Sequence, residues 1–257
     1  MNRRAAFTLV ELLVVLAIIA IFVSIAMPVY QRAKLSAWRA VSAHTLTQLG
    51  VGGAAYRNDH DGQFWPYKHL ESDGTTWWFG FESSASMRSA EGSRILDLMR
   101  GPLGPYAMAS GGVKSDPAFM AMGSRFKPKY ENGTYGYGYN TLLGGGSLGV
   151  GKVAVNSQFE HPDNIAVFAT CAQVNTFQAP ATATNPMIEE FFLFDNTQVT
   201  VHFRYGKNAL VSMVDGSVRE LPMDPTTRDP RLPSANIGRF APVGSQLYLS
   251  EAGYSAQ

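Results

Sequence analysis

The feature that most constrains this chain is an apolar run near its N-terminus, FTLVELLVVLAIIAIFVSIAMPV, at residues 7–29. The run follows Arg3 and Arg4 and contains one ionisable residue, Glu11. A membrane-spanning helix needs about 20 predominantly apolar residues, and the run reaches that length only if Glu11 is included. A carboxylate at the centre of a spanning helix costs about 2.5–3.5 kcal/mol. Glu11 therefore needs a partner, or a position near one end of the helix.

Three hypotheses explain such a run: a cleaved secretory signal, a plain membrane anchor, or a helix that both anchors and assembles. A secretory signal ends in a small-x-small cleavage site, and residues 23–26, VSIA, match that pattern poorly. The positive-inside rule does not by itself fix the orientation, because basic residues flank the run on both sides: Arg3, Arg4, Arg32, Lys34 and Arg39.

Residues 6–13, AFTLVELL, resemble the class III signal of type IV pilins and type II secretion pseudopilins. The resemblance implies that a prepilin peptidase cuts between Ala6 and Phe7 and that the new amine of Phe7 is methylated. It also implies that Glu11 of one subunit pairs with the Phe7 amine of a neighbour in a filament. The family usually carries glycine just before the cut, whereas this chain has Ala6.

The same resemblance implies a single-pass inner-membrane protein with a cytoplasmic N-terminus and a periplasmic or otherwise extracytoplasmic globular domain. The implied partners are the prepilin peptidase, the inner-membrane assembly platform, the membrane, and other pilin-like subunits in a homo- or heteropolymer. A structural role follows, as a pseudopilin or minor pilin without enzymatic activity or cofactor. An alternative from another class is a membrane-tethered extracytoplasmic binding module that does not polymerise.

The helix is predicted to run from Phe7 to about Tyr56 as one element. Pro28 is expected to kink it rather than end it, because proline removes one backbone hydrogen bond. Glycines near its C-terminal end weaken the last turns by about 1 kcal/mol each. Apolar residues beyond Pro28 recur at helical spacing on one face: Leu35, Trp38, Leu46, Leu49 and Tyr56.

The predicted fold class is α+β, with the long N-terminal helix packed by its second half on a C-terminal antiparallel sheet, as in pilins. Strand signals lie at residues 165–170, 191–194, 199–203, 209–214 and 217–221. Residues 67–92 are predicted to be loop-like and residues 93–100 to form a short helix. The predicted divisions are a leader at 1–6, a transmembrane and assembly helix at 7–29, a helix continuation at 30–62, and a globular domain at 63–257 with an irregular proline-rich tail from 222.

Asp215 and Gly216 predict a two-residue hairpin turn. Together with residues 135–140, YGYGYN, this region is similar to a pilin-like subgroup with an H-X9-DG motif, except that Tyr205 stands at the histidine position. The alternating Tyr135, Tyr137 and Tyr139 are interpreted as one face of a strand, with a sugar-binding surface as the less favoured alternative.

Composition excludes several other classes. The net charge of +1 gives no electrostatic argument for nucleic acid. Cys171 is the single cysteine, which excludes an internal disulfide and a cysteine-based zinc cluster, and we expect it to be a small buried hydrophobe. Asp59, Asp61 and Gly62 are interpreted as a helix C-terminus rather than a calcium loop, so no metal site is predicted.

The glycine-rich residues 143–153, LGGGSLGVGKV, partly match a nucleophile elbow, a dinucleotide loop and a P-loop. Each of these motifs needs a buried strand before the glycines and a helix after them, whereas here a Tyr- and Gly-rich segment precedes the glycines and the strand-like residues 152–155 follow them. A flexible loop is the favoured interpretation. A tethered hydrolase that uses Ser147 and His202 is the third and least favoured hypothesis.

Overall fold

The computed structural model describes residues 8–108, 113–131, 136–146 and 148–241. The chain begins with the 51-residue helix α1 (Leu9–Asp59), and a single helical turn, α2 (Pro117–Met120), lies in the globular part. The strands in chain order are β1 (Lys68–Leu70), β2 (Gly74–Trp77), β3 (Gly80–Ser83), β4 (Phe126–Lys127), β5 (Tyr137–Asn140), β6 (Ala166–Thr170), β7 (Gln173–Asn175), β8 (Met187–Glu189), β9 (Leu193–Phe194), β10 (Val201–His202), β11 (Asn208–Met213), β12 (Val218–Pro222) and β13 (Ile237–Gly238).

The largest sheet has the strand order β12-β11-β6-β5-β9. Its pairings are antiparallel except for the edge strand β9, which runs parallel to β5. Smaller sheets have the orders β1-β2-β3, β4-β8-β7 and β10-β13. The predicted α+β class, with a long N-terminal helix followed by antiparallel sheets, is confirmed.

The second half of α1 packs on β6 and β11 of the large sheet. Leu46 and Leu49, predicted for the buried face, are fully buried. Below them Trp65 stacks on Tyr139 and Phe168, with ring centroids 4.9 Å and 5.6 Å apart. An aromatic core of this kind contributes about 0.5–1.5 kcal/mol per ring pair beyond the area that it buries.

The prediction of a loop over residues 67–92 was wrong, because this segment contains the antiparallel strands β1, β2 and β3. The strands are only three or four residues long and rich in Thr and Gly, so they lack the apolar alternation that identifies strands in a sequence. The aromatic residues Trp78 and Phe79 lie between β2 and β3 and are buried.

The prediction of a helix over residues 93–100 was also wrong. Asp97 is extended and exchanges two backbone hydrogen bonds of 2.8 Å with Phe81, while Arg94 forms an ion pair with the buried Glu82. These long-range contacts override the local helix propensity. Only Leu98–Arg100 forms a 3-10 turn, and Asp97 caps it.

Strands β11 and β12 form the predicted hairpin around Asp215 and Gly216, but its loop has three residues rather than two. The Met213 N–H donates to the Ser217 carbonyl at 2.8 Å, which leaves residues 214–216 as the loop. Gly216 has a φ of +88°, the left-handed conformation that a three-residue hairpin requires at this position.

Helix α1 ends as a capped C-terminus. The Gly62 N–H donates to the Arg57 carbonyl at 2.8 Å, and Gly62 has a φ of +77°, as expected for a glycine that closes a helix. Over the described ranges, no group of three or more His, Cys, Asp or Glu residues could hold a metal ion.

The glycines near the end of α1 allow close packing. A Cβ atom on Gly53 would lie 2.6 Å from the ring of Trp65, and one on Gly52 would lie 2.7 Å from Cβ of Ala107. Trp65 is fully buried and stacked on two other rings, so it has no room to move. The glycines weaken the helix locally, but they bring its backbone into contact with the core.

We predict that Gly53→Ala destabilises the globular domain by about 1–3 kcal/mol, because overpacking outweighs the gain of about 1 kcal/mol in helix propensity. Val51→Ala is the matched control, since Val51 lies in the same turn but is 60% exposed, and we expect a change within about 0.5 kcal/mol. The measurement is urea unfolding in detergent followed by tryptophan fluorescence. A stabilised Gly53→Ala variant would contradict the proposed close packing.

Candidate assembly helix and its attachment to the globular domain

The first half of α1 makes no contact that buries it. Every residue from Leu9 to Ala37 is exposed, and the apolar side chains include Leu9 at 77% and Phe22 at 69%. Soluble monomers rarely expose a continuous apolar surface of more than a few hundred Å². By length and composition, α1 is a helix that could cross a membrane. Its apolar half therefore needs lipid or another protein as its environment.

Glu11 is part of a capping box at the start of α1. The Glu11 N–H donates to Thr8 Oγ1 at 3.2 Å, and Glu11 Oε2 accepts from the Thr8 N–H at 2.8 Å and from Thr8 Oγ1 at 2.7 Å. A carboxylate here also interacts favourably with the positive end of the helix dipole. Glu11 thus has a partner within its own chain, and the three hydrogen bonds leave Oε1 unused among the described residues.

Thr8 was not predicted as a capping residue, although the sequence contains the signal for it. Thr8 and Glu11 form the T-x-x-E pattern of a capping box directly before an apolar run. Phe7 and Ala6 lie outside the described residues, so the predicted cleavage and methylation site has no structural description. Helix α1 continues through Pro28 to Asp59, and the kink at Pro28 stays a prediction.

A buried polar cluster attaches α1 to the globular domain; we call Ser42, Asp116, Tyr137 and Tyr205 the Ser42 cluster. Ser42 Oγ donates to Asp116 Oδ2 at 2.7 Å, and Tyr137 Oη donates to Ser42 Oγ at 3.2 Å. Tyr205 Oη donates to Asp116 Oδ2 at 2.9 Å and lies 2.7 Å from Ser42 Oγ. The cluster joins the helix to the start of α2, to β5 and to the turn before β11.

The electrostatics of the Ser42 cluster keep both tyrosines protonated. Burial, with the nearby Asp116 carboxylate, raises the pKa of Tyr205 and of Tyr137 far above the usual value for a phenol. Arg204 Nη1 lies 3.4 Å from Asp116 Oδ1, so the guanidinium group offsets the negative charge of the buried Asp116 carboxylate. Asp116 also caps α2 by accepting from the Phe119 N–H at 2.8 Å, so one carboxylate organises several elements.

An ion pair at the protein surface adds to this attachment. Arg39 on α1 pairs with Glu220 on β12, and both side chains are partly exposed. Exposed pairs contribute about 0.2–1 kcal/mol, so this contact adds little to the stability of the attachment.

Tyr205 is therefore a structural residue. Its hydroxyl group connects the turn before β11 to the long helix. Tyr137 and Tyr139 lie on β5 and are fully buried, which is unfavourable to the sugar-surface alternative at these two positions. Tyr135 lies outside the described residues.

Of the remaining candidate residues, the structure describes Cys171 and His202, and both are buried. Cys171 is fully buried, and burial raises the pKa of its thiol, as expected for an unreactive side chain. His202 is 2% exposed, and burial, followed by the charge of Arg204, lowers its pKa well below the usual value. Ser147 lies outside the described residues. Gly144 accepts from the Tyr67 N–H at 3.0 Å, which holds this end of the glycine-rich segment against the domain.

Comparison with known proteins gives one result at the N-terminus. The family described as the prokaryotic N-terminal methylation motif matches residues 1–27. No curated protein and no solved structure matches the chain. The match supports a type IV pilin-like signal and points to a structural protein, and with the apolar helix it fits a membrane-anchored protein.

We predict that Tyr205→Phe destabilises the globular domain by about 1–3 kcal/mol, because it leaves buried partners of its hydroxyl incompletely hydrogen-bonded. Tyr106→Phe is the matched control, since the Tyr106 hydroxyl donates to Asp59 in an exposed contact of 3.1 Å, and we expect a change below about 0.5 kcal/mol. Urea unfolding of both variants measures the difference. Equal effects would show that the Ser42 cluster does not stabilise the attachment.

Proposed function

We propose that this chain is a pilin-like structural subunit, a pseudopilin or minor pilin. Prepilin peptidase cuts it between Ala6 and Phe7, and the new amine of Phe7 is methylated. The subunit then assembles through its N-terminal helix into a type II secretion pseudopilus or a type IV pilus-like filament. The inner membrane holds it beforehand, with the N-terminus in the cytoplasm and the globular domain outside.

The observation that carries this proposal is the continuity between the matched motif and the exposed half of α1. The motif covers residues 1–27, and α1 continues from Leu9 to Asp59. Among the described residues of the helix, burial against the globular domain begins at Trp38. This division of α1 into an exposed half and a half that packs on the domain supports the proposed assembly. In that assembly the first half exchanges lipid for neighbouring helices, while the second half stays attached to the domain.

Glu11 supports assembly in a more specific way. Its capping box uses Oε2, and Oε1 remains available to accept from the methylated Phe7 amine of a neighbouring subunit. Removing one partner of a buried ion pair costs about 3–5 kcal/mol, so assembly is expected to depend strongly on this carboxylate. A plain tether would use this acid only in the capping box with Thr8.

We further propose that the chain belongs with the H-X9-DG-like pilin subgroup, with Tyr205 in place of the histidine. The proposed divisions are a leader at 1–6, a transmembrane and assembly helix at 7–29, its continuation at 30–62, and the globular domain at 63–257. Burial of Tyr205 in the Ser42 cluster supports a structural use of that position.

We predict that Glu11→Ala leaves membrane insertion intact and reduces filament assembly at least tenfold, because the neighbour's amine loses its buried partner. Glu160→Ala is the matched control, since Glu160 is an exposed carboxylate of the globular domain, and its filament yield is expected to equal that of the wild type. The measurement is the sedimentable filament yield from cells that also make prepilin peptidase and the assembly platform.

The alternative, a tethered binding module that does not polymerise, predicts a different result. Wild-type protein would then stay in the membrane fraction as a monomer, and Glu11→Ala would behave like Glu160→Ala. Unchanged assembly in Glu11→Ala would contradict the proposed pairing with Phe7.

A further inference from the structure

Two cations lie between the apolar half of α1 and the globular domain. Arg32 and Lys34 are exposed, and neither forms an ion pair within the described residues. Lys34 Nζ lies 4.5 Å above the ring of Trp38, one helical turn further along, so its charge is directed away from the apolar run. Arg39, by contrast, is paired with Glu220.

The spacing along the helix matches the layers of a bilayer. At 1.5 Å per residue, Glu11 and Arg32 are separated by about 32 Å of helix, and the hydrocarbon core of a bilayer is about 30 Å thick. Between Val29 and Trp38, where the domain begins to cover the helix, the rise is about 13 Å. The headgroup layer of one leaflet, about 5–8 Å, fits into this interval.

We propose that Arg32 and Lys34 bind the phosphate groups of anionic phospholipids in the leaflet on the side of the globular domain. The two side chains lie on different faces of α1, so each binds a separate headgroup. Tyr30, 63% exposed at the same level, is of the type that anchors helices at membrane interfaces. The contacts fix the depth of the helix and hold the domain directly above the headgroups.

This inference rests on α1 spanning a membrane and does not require that the chain forms a filament. Each cation near an anionic membrane surface is expected to increase affinity about fivefold, so the two together contribute about 30-fold. Because the attraction is electrostatic, it weakens as salt concentration rises.

The test uses the full chain in a neutral detergent, titrated with phosphatidylglycerol or phosphatidylcholine and followed by native mass spectrometry. We expect Arg32→Gln and Lys34→Gln each to weaken phosphatidylglycerol binding about fivefold and the double variant about 30-fold, with phosphatidylcholine binding unchanged. Glutamine has a similar helix propensity, so helix α1 should stay folded in these variants, with thermal stability lowered only by the loss of the Lys34–Trp38 contact. The matched control is Arg88→Gln/Arg125→Gln, two exposed arginines of the globular domain, which should bind like the wild type.

Several outcomes would overturn the proposal. One is a double variant that binds phosphatidylglycerol within twofold of the wild type, and another is a wild type that binds both lipids equally. Competition by inorganic phosphate as effective as that by phosphatidylglycerol would assign the site to a free anion. Loss of self-association in the double variant, without loss of lipid binding, would assign these cations to a contact between copies of the chain. Filament yield is measured separately, so a failure here is distinct from a failure of the assembly proposal.

Discussion

The exposed apolar surface of α1 determines the environment in which this protein can exist. The globular domain packs only on the C-terminal part of the helix, and the residues from Leu9 to Ala37 are left exposed. Water is an unfavourable environment for that surface, at about 25 cal/mol for each Å² of apolar area. Either lipid or another protein must therefore cover it.

The contacts at Ser42, Gly52 and Gly53 attach the helix to the globular domain. The glycines bring the helix backbone against the aromatic core. The Ser42 cluster adds hydrogen bonds, and because these are directional they form in one orientation of the helix relative to the domain. Apolar packing alone would tolerate rotation or sliding of the helix more readily, because it has no preferred direction. The polar cluster therefore contributes specificity of orientation as well as stability.

Local sequence signals were sufficient for the helix and for part of the sheet. The apolar run, the spacing of Leu46 and Leu49, and Asp215-Gly216 between two strand signals all have causes within a few residues. The sheet of β1, β2 and β3 could not be predicted in this way, since short Thr- and Gly-rich strands carry a weak pattern. The Ser42 cluster could not be predicted from local patterns either, because Ser42 is 74 residues from Asp116 and 163 residues from Tyr205. The capping box of Thr8 and Glu11 is different, as its local pattern was visible in the sequence.

We propose that the N-terminal motif is processed before the helix assembles. The most direct test is mass spectrometry of the N-terminal peptide after the full chain is made together with a prepilin peptidase. We expect a chain that begins at Phe7 and carries a methyl group on its amine, despite Ala6 in place of the usual glycine. An intact Met1, or a cut after the apolar run, would contradict it.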